Sequence, residues 1–192
     1  MRFSIPALAK IAAASTGRNE ADVQCVRKLA EGGFNRTFKL TMNDGFEVIA
    51  RLPYPLTQPK RLIVASEVAT INLVRSHGVP APKIYGYSSD PTNPVGAEYI
   101  SMEYVRGRLL GDIWFTLSDR ERVKVLSEIV DLEAKLFAID FSAYGSIFYH
   151  CDLSVEMSLG LENPEELCVG PDVSLRFWFE ERITLEIQRG PC

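Results

Sequence analysis

Apolar and polar side chains alternate most clearly between residues 23 and 52. Val23, Cys25, Val26, Arg27 and Leu29 lead into Gly32-Gly33, and the run Thr37-Phe-Lys-Leu-Thr-Met42 leads out of it. This predicts two strands joined at a glycine pair. Asn43-Asp44-Gly45 is a turn signal, and a third strand follows over 46–52. Its period of two sets Phe46, Val48, Ala50 and Leu52 on one face and Glu47, Ile49 and Arg51 on the other. The proline-rich run 53–59 ends it.

The spacing then changes from two to three and four. Val64, Val68, Ile71 and Val74 or Arg75 predict a helix over 60–76, with Glu67 beside that stripe, and Gly78-Val-Pro-Ala-Pro82 stops it. Short strands are predicted at 84–87 and 99–105, separated by a turn-rich loop and ended by Arg106-Gly107. A short helix follows at 109–115. Ser118-Asp-Arg-Glu121 is a capping box. It opens the strongest helical pattern in the chain: Val125, Ile129, Leu132, Leu136 and Ile139, widened by Leu126, Val130 and Phe137. After Asp140 the pattern breaks into short apolar runs at 145–149, 167–170 and 183–187, read as strands between irregular loops.

The first nineteen residues admit two readings. Ser4 as cap, Pro6 in the first turn, and Ile5, Leu8, Ile11 and Ala12 on one face describe a structural helix. Arg2, Lys10 and Arg18 without any acid resemble a mitochondrial presequence. The helix is the favoured reading, with organelle targeting left open.

Composition narrows the functional classes. Apolar content of 46% and charged content of 24% over 192 residues are those of a globular chain. A net charge of −4 gives no footprint for nucleic acid. Cys25, Cys151, Cys168 and Cys192 form no C-x-x-C pair, and only His77 and His150 could join them. Zinc is therefore not expected, and reduced thiols in an intracellular compartment, cytoplasmic or mitochondrial, are. No apolar run approaches membrane-spanning length.

The glycine pair carries the candidate chemistry. Neither residue has a Cβ, so backbone can approach a ligand closely, and converging N–H groups can cradle phosphate. An ordinary hairpin turn would look the same. Six stretches in register distinguish the two: Leu-Ala-Glu-Gly-Gly-Phe-Asn-Arg-Thr-Phe, Val-Ile-Ala-Arg-Leu-Pro, Ser-Glu-Val-Ala-Thr, Val-Pro-Ala-Pro-Lys-Ile-Tyr-Gly-Tyr, Met-Glu-Tyr-Val-Arg-Gly and Ala-Tyr-Gly-Ser-Ile-Phe-Tyr. Together they resemble the aminoglycoside phosphotransferase and choline-kinase-like superfamily, in its fungal branch, some members of which are linked to mitochondrial inheritance.

The resemblance implies an α+β fold. A protein-kinase-like amino-terminal lobe, a five-stranded antiparallel sheet with one helix, would occupy 20–105. A partial, partly helical second lobe with a short β-rich insert would occupy 106–192, and the helix at 1–19 would precede both. It further implies that Gly32, Gly33, Phe34 and Asn35 form the nucleotide flap, and that Arg51 grips phosphate oxygens while paired with Glu67. Arginine departs from the commoner lysine at that place but keeps the charge and can hold two oxygens. Ile49 would cover the adenine, Met102 would lie behind it, and backbone groups of Glu103 and Val105 would bind its edge.

ATP and Mg²⁺ are implied as cofactors, but no Mg²⁺ ligands are found in this chain. The family's general base and metal ligands lie in a His-x-Asp-x-x-x-x-Asn loop and a later aspartate. His150-Cys151-Asp152 matches its start, yet Met157 stands at the asparagine position, and a thioether is too soft for Mg²⁺. The match reads as coincidental, as does Asp172 after it. The leading expectation is thus a truncated phosphotransferase-like chain that binds ATP but turns nothing over alone, with an uncovered apolar face that implies a protein partner. The alternative is a non-catalytic nucleotide-binding or protein-interaction module. A third reading is an active enzyme using Asp152 and Asp172.

Overall fold

The computed structural model describes residues 3–54, 57–154, 157–160 and 167–191. Arg2, Pro55, Leu56, Val155, Glu156 and Cys192 lie outside the described residues. The fold is α+β. Strands β1 (Val23–Glu31), β2 (Asn35–Met42), β3 (Glu47–Pro53), β4 (Ile84–Ser88) and β5 (Tyr99–Glu103) form a sheet of order β1-β2-β3-β5-β4, and every neighbouring pair is antiparallel. Four α-helices accompany it among the described residues: α1 (Ile5–Ala14), α2 (Lys60–Ser76), α3 (Leu110–Ile113) and α4 (Asp119–Phe137).

Helix α1 covers one face of the sheet. The Ser4 hydroxyl accepts from the Ala7 N–H at 3.2 Å, and Pro6 sits in the first turn. Leu8, Ala9, Ala12 and Ala13 are buried against Phe38, Leu40, Met42, Val48, Ala50 and Leu52. The stripe is rotated from the expected one: Ile5 is 45% exposed, because alanines allow the helix to approach the sheet where isoleucines would hold it off. In β3 the alternation is as the pattern predicts, with Val48, Ala50 and Leu52 in this core and Ile49 and Arg51 on the opposite face. In β1 it is not. A register shift between Val23 and Cys25 reverses the parity, so Val23 turns with Val26 toward the α1 core rather than sharing a face with Cys25 and Arg27, and a second shift falls between Lys28 and Ala30.

Helix α2 lies between two sheets. Val64 and Val68 pack on Ile49, Ile100 and Met102 of the large sheet. Ala65, Ala69 and Leu73 pack on a second sheet made of β6 (Ser146–Tyr149), β7 (Leu159–Gly160) and β8 (Leu167–Gly170), in the order β6-β8-β7. The sequence pattern gave α2 one stripe, with Ile71 and Val74 in it. Both are only half-buried, and the second stripe consists of small residues that carry little hydrophobic signal. The approach within the small sheet is equally close. A Cβ on Gly170 would stand 2.4 Å from Leu153 and 2.8 Å from Phe148.

Two further expectations differ. The fifth strand ends at Glu103 rather than 105. Residues 183–187 form no strand, since a 3₁₀ turn occupies Glu180–Thr184. There the Arg189 guanidinium takes the carbonyls of Phe177, Arg182, Leu185 and Ile187 and stacks 4.1 Å over Trp178, supplying locally what a ladder would otherwise supply. Helix α4 begins at its capping box, with the Ser118 N–H donating to Glu121 at 2.8 Å. None of its residues is buried against the described residues. Among the described residues no helix is long and apolar enough to cross a membrane.

Candidate functional site

The turn between β1 and β2 is closed by the Gly32 N–H, which donates to the Asn35 carbonyl at 3.1 Å. That amide is therefore spent within the hairpin and does not contribute to a phosphate cradle, as the glycine pair had suggested. A Cβ placed on Gly32 or Gly33 would meet nothing within 4 Å, and neither has a positive φ. Neither packing nor backbone conformation within the chain demands glycine here, which leaves open space over the turn. The tip is tethered rather than loose. The Phe34 carbonyl accepts from the Tyr54 N–H and from the Thr57 hydroxyl, each at 2.8 Å, while the Phe34 ring stands exposed.

At the base of the turn, Glu31 accepts from Lys28 at 2.7 Å and from the Tyr54 hydroxyl. Arg36 comes within 3.3 Å of it and stacks on the Tyr54 ring. The Arg36 Nε is near enough for charge attraction but too poorly aligned to count as hydrogen-bonded. Bonds from Lys28 and then Tyr54 hold the Glu31 carboxyl down to about 2.

Beneath the turn, β3 carries Arg51 opposite Thr37 of β2 and Ile100 of β5. Its Nη1 donates to Glu67 Oε1 on α2. Its Nη2 donates to the Asn35 side-chain oxygen at 2.7 Å, in the amide orientation that also lets Asn35 donate to the Phe34 carbonyl at 3.2 Å. One guanidinium thus joins sheet, helix and hairpin. Burial pushes the Glu67 carboxyl above its ordinary value, and the Arg51 charge offsets this only in part. Lys39, not singled out from the sequence, belongs to the same face because it pairs with Ile49 across β2 and β3. Its Nζ is 2.7 Å from Glu47 and 4.8 Å from the Tyr104 ring centre, and Arg106 holds the other Glu47 oxygen at 2.8 Å. The register alone could have found it, since every second residue of β2 faces this way.

The structure brings Gly32, Gly33, Phe34, Asn35, Arg51 and Glu67 together and disposes the remaining candidates differently. Ile49 and Met102 are paired across β3 and β5 and buried against Val64, Val68 and Ile100, with Tyr87, Tyr104 and Tyr149 around them. They line no cavity among those described. The Glu103 N–H donates to the Lys83 carbonyl at 2.8 Å, and its carboxylate accepts from the Lys83 N–H. Val105 is exposed beyond the strand end. Asn35, which accepts from the guanidinium, borders an opening elsewhere. A cavity of about 190 Å³ is bounded by Phe34, Asn35, Thr57, Gln58, Ile63, Val173 and Leu175. It is smaller than the roughly 300 Å³ at which sites for whole small molecules begin.

The His150-Cys151-Asp152 stretch is a 3₁₀ turn, in which Asp152 accepts from the Tyr87 hydroxyl at 2.7 Å. Burial, followed by this bond, raises the Tyr87 hydroxyl well above its usual range. Asp172 is buried and accepts from the Tyr144 hydroxyl and the Ser174 N–H, both at 2.7 Å, and from Arg176. Burial raises its carboxyl, but those bonds outweigh it and hold the group below its ordinary value. Both aspartates therefore tie chain segments together. Among the described residues no three His, Cys, Asp or Glu side chains are grouped to hold a metal ion. Glu31, Glu47 and Glu67 each face a cationic side chain.

No protein-family model matches the chain. Over 168 residues, 87% of this chain, it is 42% identical to a subtelomeric hrmA-associated cluster protein of Aspergillus fumigatus, of which it covers 33%. It is 31% identical over 172 residues to altered inheritance of mitochondria protein 9, mitochondrial, of Candida tropicalis, matching 81% of this chain and 28% of that protein. The protein of the same name from Debaryomyces hansenii is 31% identical over 173 residues. The chain spans about a third of the length of the curated relatives it matches.

Proposed function

We propose that the face beneath the Gly32–Gly33 turn binds the phosphates of a nucleotide such as ATP, and that the chain is the nucleotide-holding portion of an aminoglycoside phosphotransferase-like, kinase-like protein. The observation that carries this reading is the bridge of Arg51 to Glu67 and Asn35. A guanidinium held from two sides loses little freedom when it meets phosphate, and its planar fork suits two oxygens. The open space over two glycines gives the phosphates room to approach. Lys39 and Arg106 around Glu47 leave one further positive charge on the same side of the sheet. A γ-phosphoryl transfer site needs positioning and charge neutralisation, and these residues supply a share of both.

Binding without turnover is the activity assigned to these residues. Asp152 and Asp172, the two acids that a catalytic loop would need, are engaged by Tyr87 and by Tyr144, Ser174 and Arg176. Any Mg²⁺ would arrive bound to the nucleotide. A location in mitochondria, as in the names of the Candida and Debaryomyces relatives, is part of the same proposal. Thermal unfolding in the presence of ATP, inorganic triphosphate and adenosine tests it. ATP and triphosphate should both stabilise the chain, and adenosine should not. Stabilisation by adenosine alone would move the site to the base and away from Arg51.

A second reading, a protein-interaction module without nucleotide, is favoured by one observation, the apolar face of α4, exposed among the described residues.

A further inference from the structure

We infer that the cavity between the hairpin tip and the segment after β8 is a subsite for a neutral six-membered ring that carries a hydroxyl group. Its two walls belong to different parts of the fold, and each is braced separately. On one side the Phe34 carbonyl is fixed by the Tyr54 N–H and the Thr57 hydroxyl, and Asn35 is fixed by Arg51. On the other side stand Val173 and Leu175. The Val173 N–H donates to the Ser146 hydroxyl at 3.1 Å, and its side chain packs on Ala65, Phe148 and Cys168. Asp172, just before it, is 6% exposed. Its N–H donates to the Arg189 carbonyl, its carbonyl accepts from the Trp178 indole, and its carboxylate accepts from the Ser174 N–H, each at 2.7 Å. Walls held in this way resist closing on one another, so the space is preformed.

Size and lining identify the occupant. About 190 Å³ is available, and an apolar cavity of roughly 150 Å³ holds one benzene. Phe34, Ile63, Val173 and Leu175 supply apolar walls, and none of the described residues bounding the space is charged. A charged group would lose hydration there without gaining a counter-ion. Water is poorly served too, since it needs about two to four polar partners, and the Asn35 amide is engaged through both its oxygen and its nitrogen. An apolar ring that displaces such water gains affinity. Thr57 supplies an acceptor at the edge. It is 6% exposed, and its hydroxyl gives its proton to the Phe34 carbonyl at 2.8 Å, which leaves its oxygen able only to accept. A hydroxyl on the ring donates to it. The subsite adjoins the proposed phosphate face through Asn35 but does not depend on a nucleotide being bound there.

Amide NMR spectra of the full chain titrated with phenol, toluene or benzoate test this. Phenol should saturably shift the amides of 34–35, 57–58, 63 and 173–175 at millimolar concentration. Toluene should shift the same amides with weaker affinity, and benzoate should leave them unmoved. Leu175→Trp, at a position 44% exposed, should fill the space and weaken phenol about tenfold or more, with the rest of the spectrum unchanged. Thr57→Val should bring phenol down to the affinity of toluene and leave toluene as it was, whereas a merely structural Thr57 would weaken both. The inference is overturned if phenol gives no saturable shift, or shifts spread over exposed apolar surface such as α4. Benzoate binding as well as phenol, phenol binding indifferent to Leu175→Trp, or toluene weakening along with phenol in Thr57→Val would each overturn it too. None of these readouts involves nucleotide, so the failure of one proposal leaves the other standing.

Discussion

Arg51 of the third strand and Glu67 of the following helix are joined side chain to side chain, and the remaining guanidinium nitrogen reaches Asn35 at the foot of the hairpin. The bridge is partly open to solvent. Its energetic worth is therefore modest, about 1 kcal/mol. Arg51→Met should lower stability by that order in urea denaturation. Arg51→Lys should recover part of it, because a lysine keeps the contact with Glu67 but cannot hold Asn35 at the same time.

Helix α1 belongs to the main core. Leu8 is almost wholly buried among the sheet residues Phe38, Leu40 and Met42. Leu8→Ala should cost about 2–5 kcal/mol. Ile5→Ala, at an exposed position of the same helix, should cost under about 0.5 kcal/mol. Equal effects in urea denaturation would contradict the observed stripe.

The two aspartates that resemble catalytic residues should behave as structural ones. Removing the Tyr87 hydroxyl with Tyr87→Phe leaves Asp152 without that donor, and a loss of about 1 kcal/mol is expected. Asp152→Asn should change ATP affinity by less than twofold. ATP-dependent phosphorylation by the wild-type chain that disappears in Asp152→Asn would overturn this assignment.

Acid should loosen the base of the hairpin at a predictable point. Glu31 titrates at about 2 in the folded chain against 4.5 as the ordinary value. A lowered folded value means the contribution is complete above the ordinary value and is lost as pH falls toward 2. The stability difference between wild type and Glu31→Gln should therefore be constant near neutrality and shrink below about pH 4.5. A difference that grew on acidification would show that the carboxylate is not held by Lys28 and Tyr54.

Much of the fold was legible from the sequence, because β2, β3 and the longer helices follow their periods and glycine- and proline-rich turns bound the other strands. The faces were less so. A register shift inverts the start of β1, alanine stripes hide the second side of α2, and the Arg189 guanidinium replaces a strand with a turn. The Arg51–Glu67 pair follows from the family resemblance, not from periodicity, which puts Arg51 on one face of β3 without saying on which side of the sheet α2 packs. Met102 taken alone reads as core, as found, but the enclosure of Ile49 could not be anticipated, because it depends on tyrosines from β4, from beyond β5 and from β6, which local periodicity does not bring together.

Calorimetric titration of ATP with Mg²⁺ into the full chain and into Arg51→Met addresses the central claim most directly. The account predicts saturable binding by the wild-type chain and an affinity at least about tenfold weaker in the variant, equivalent to about 1.4 kcal/mol. No heat at millimolar ATP, or equal affinities in the two proteins, would contradict it.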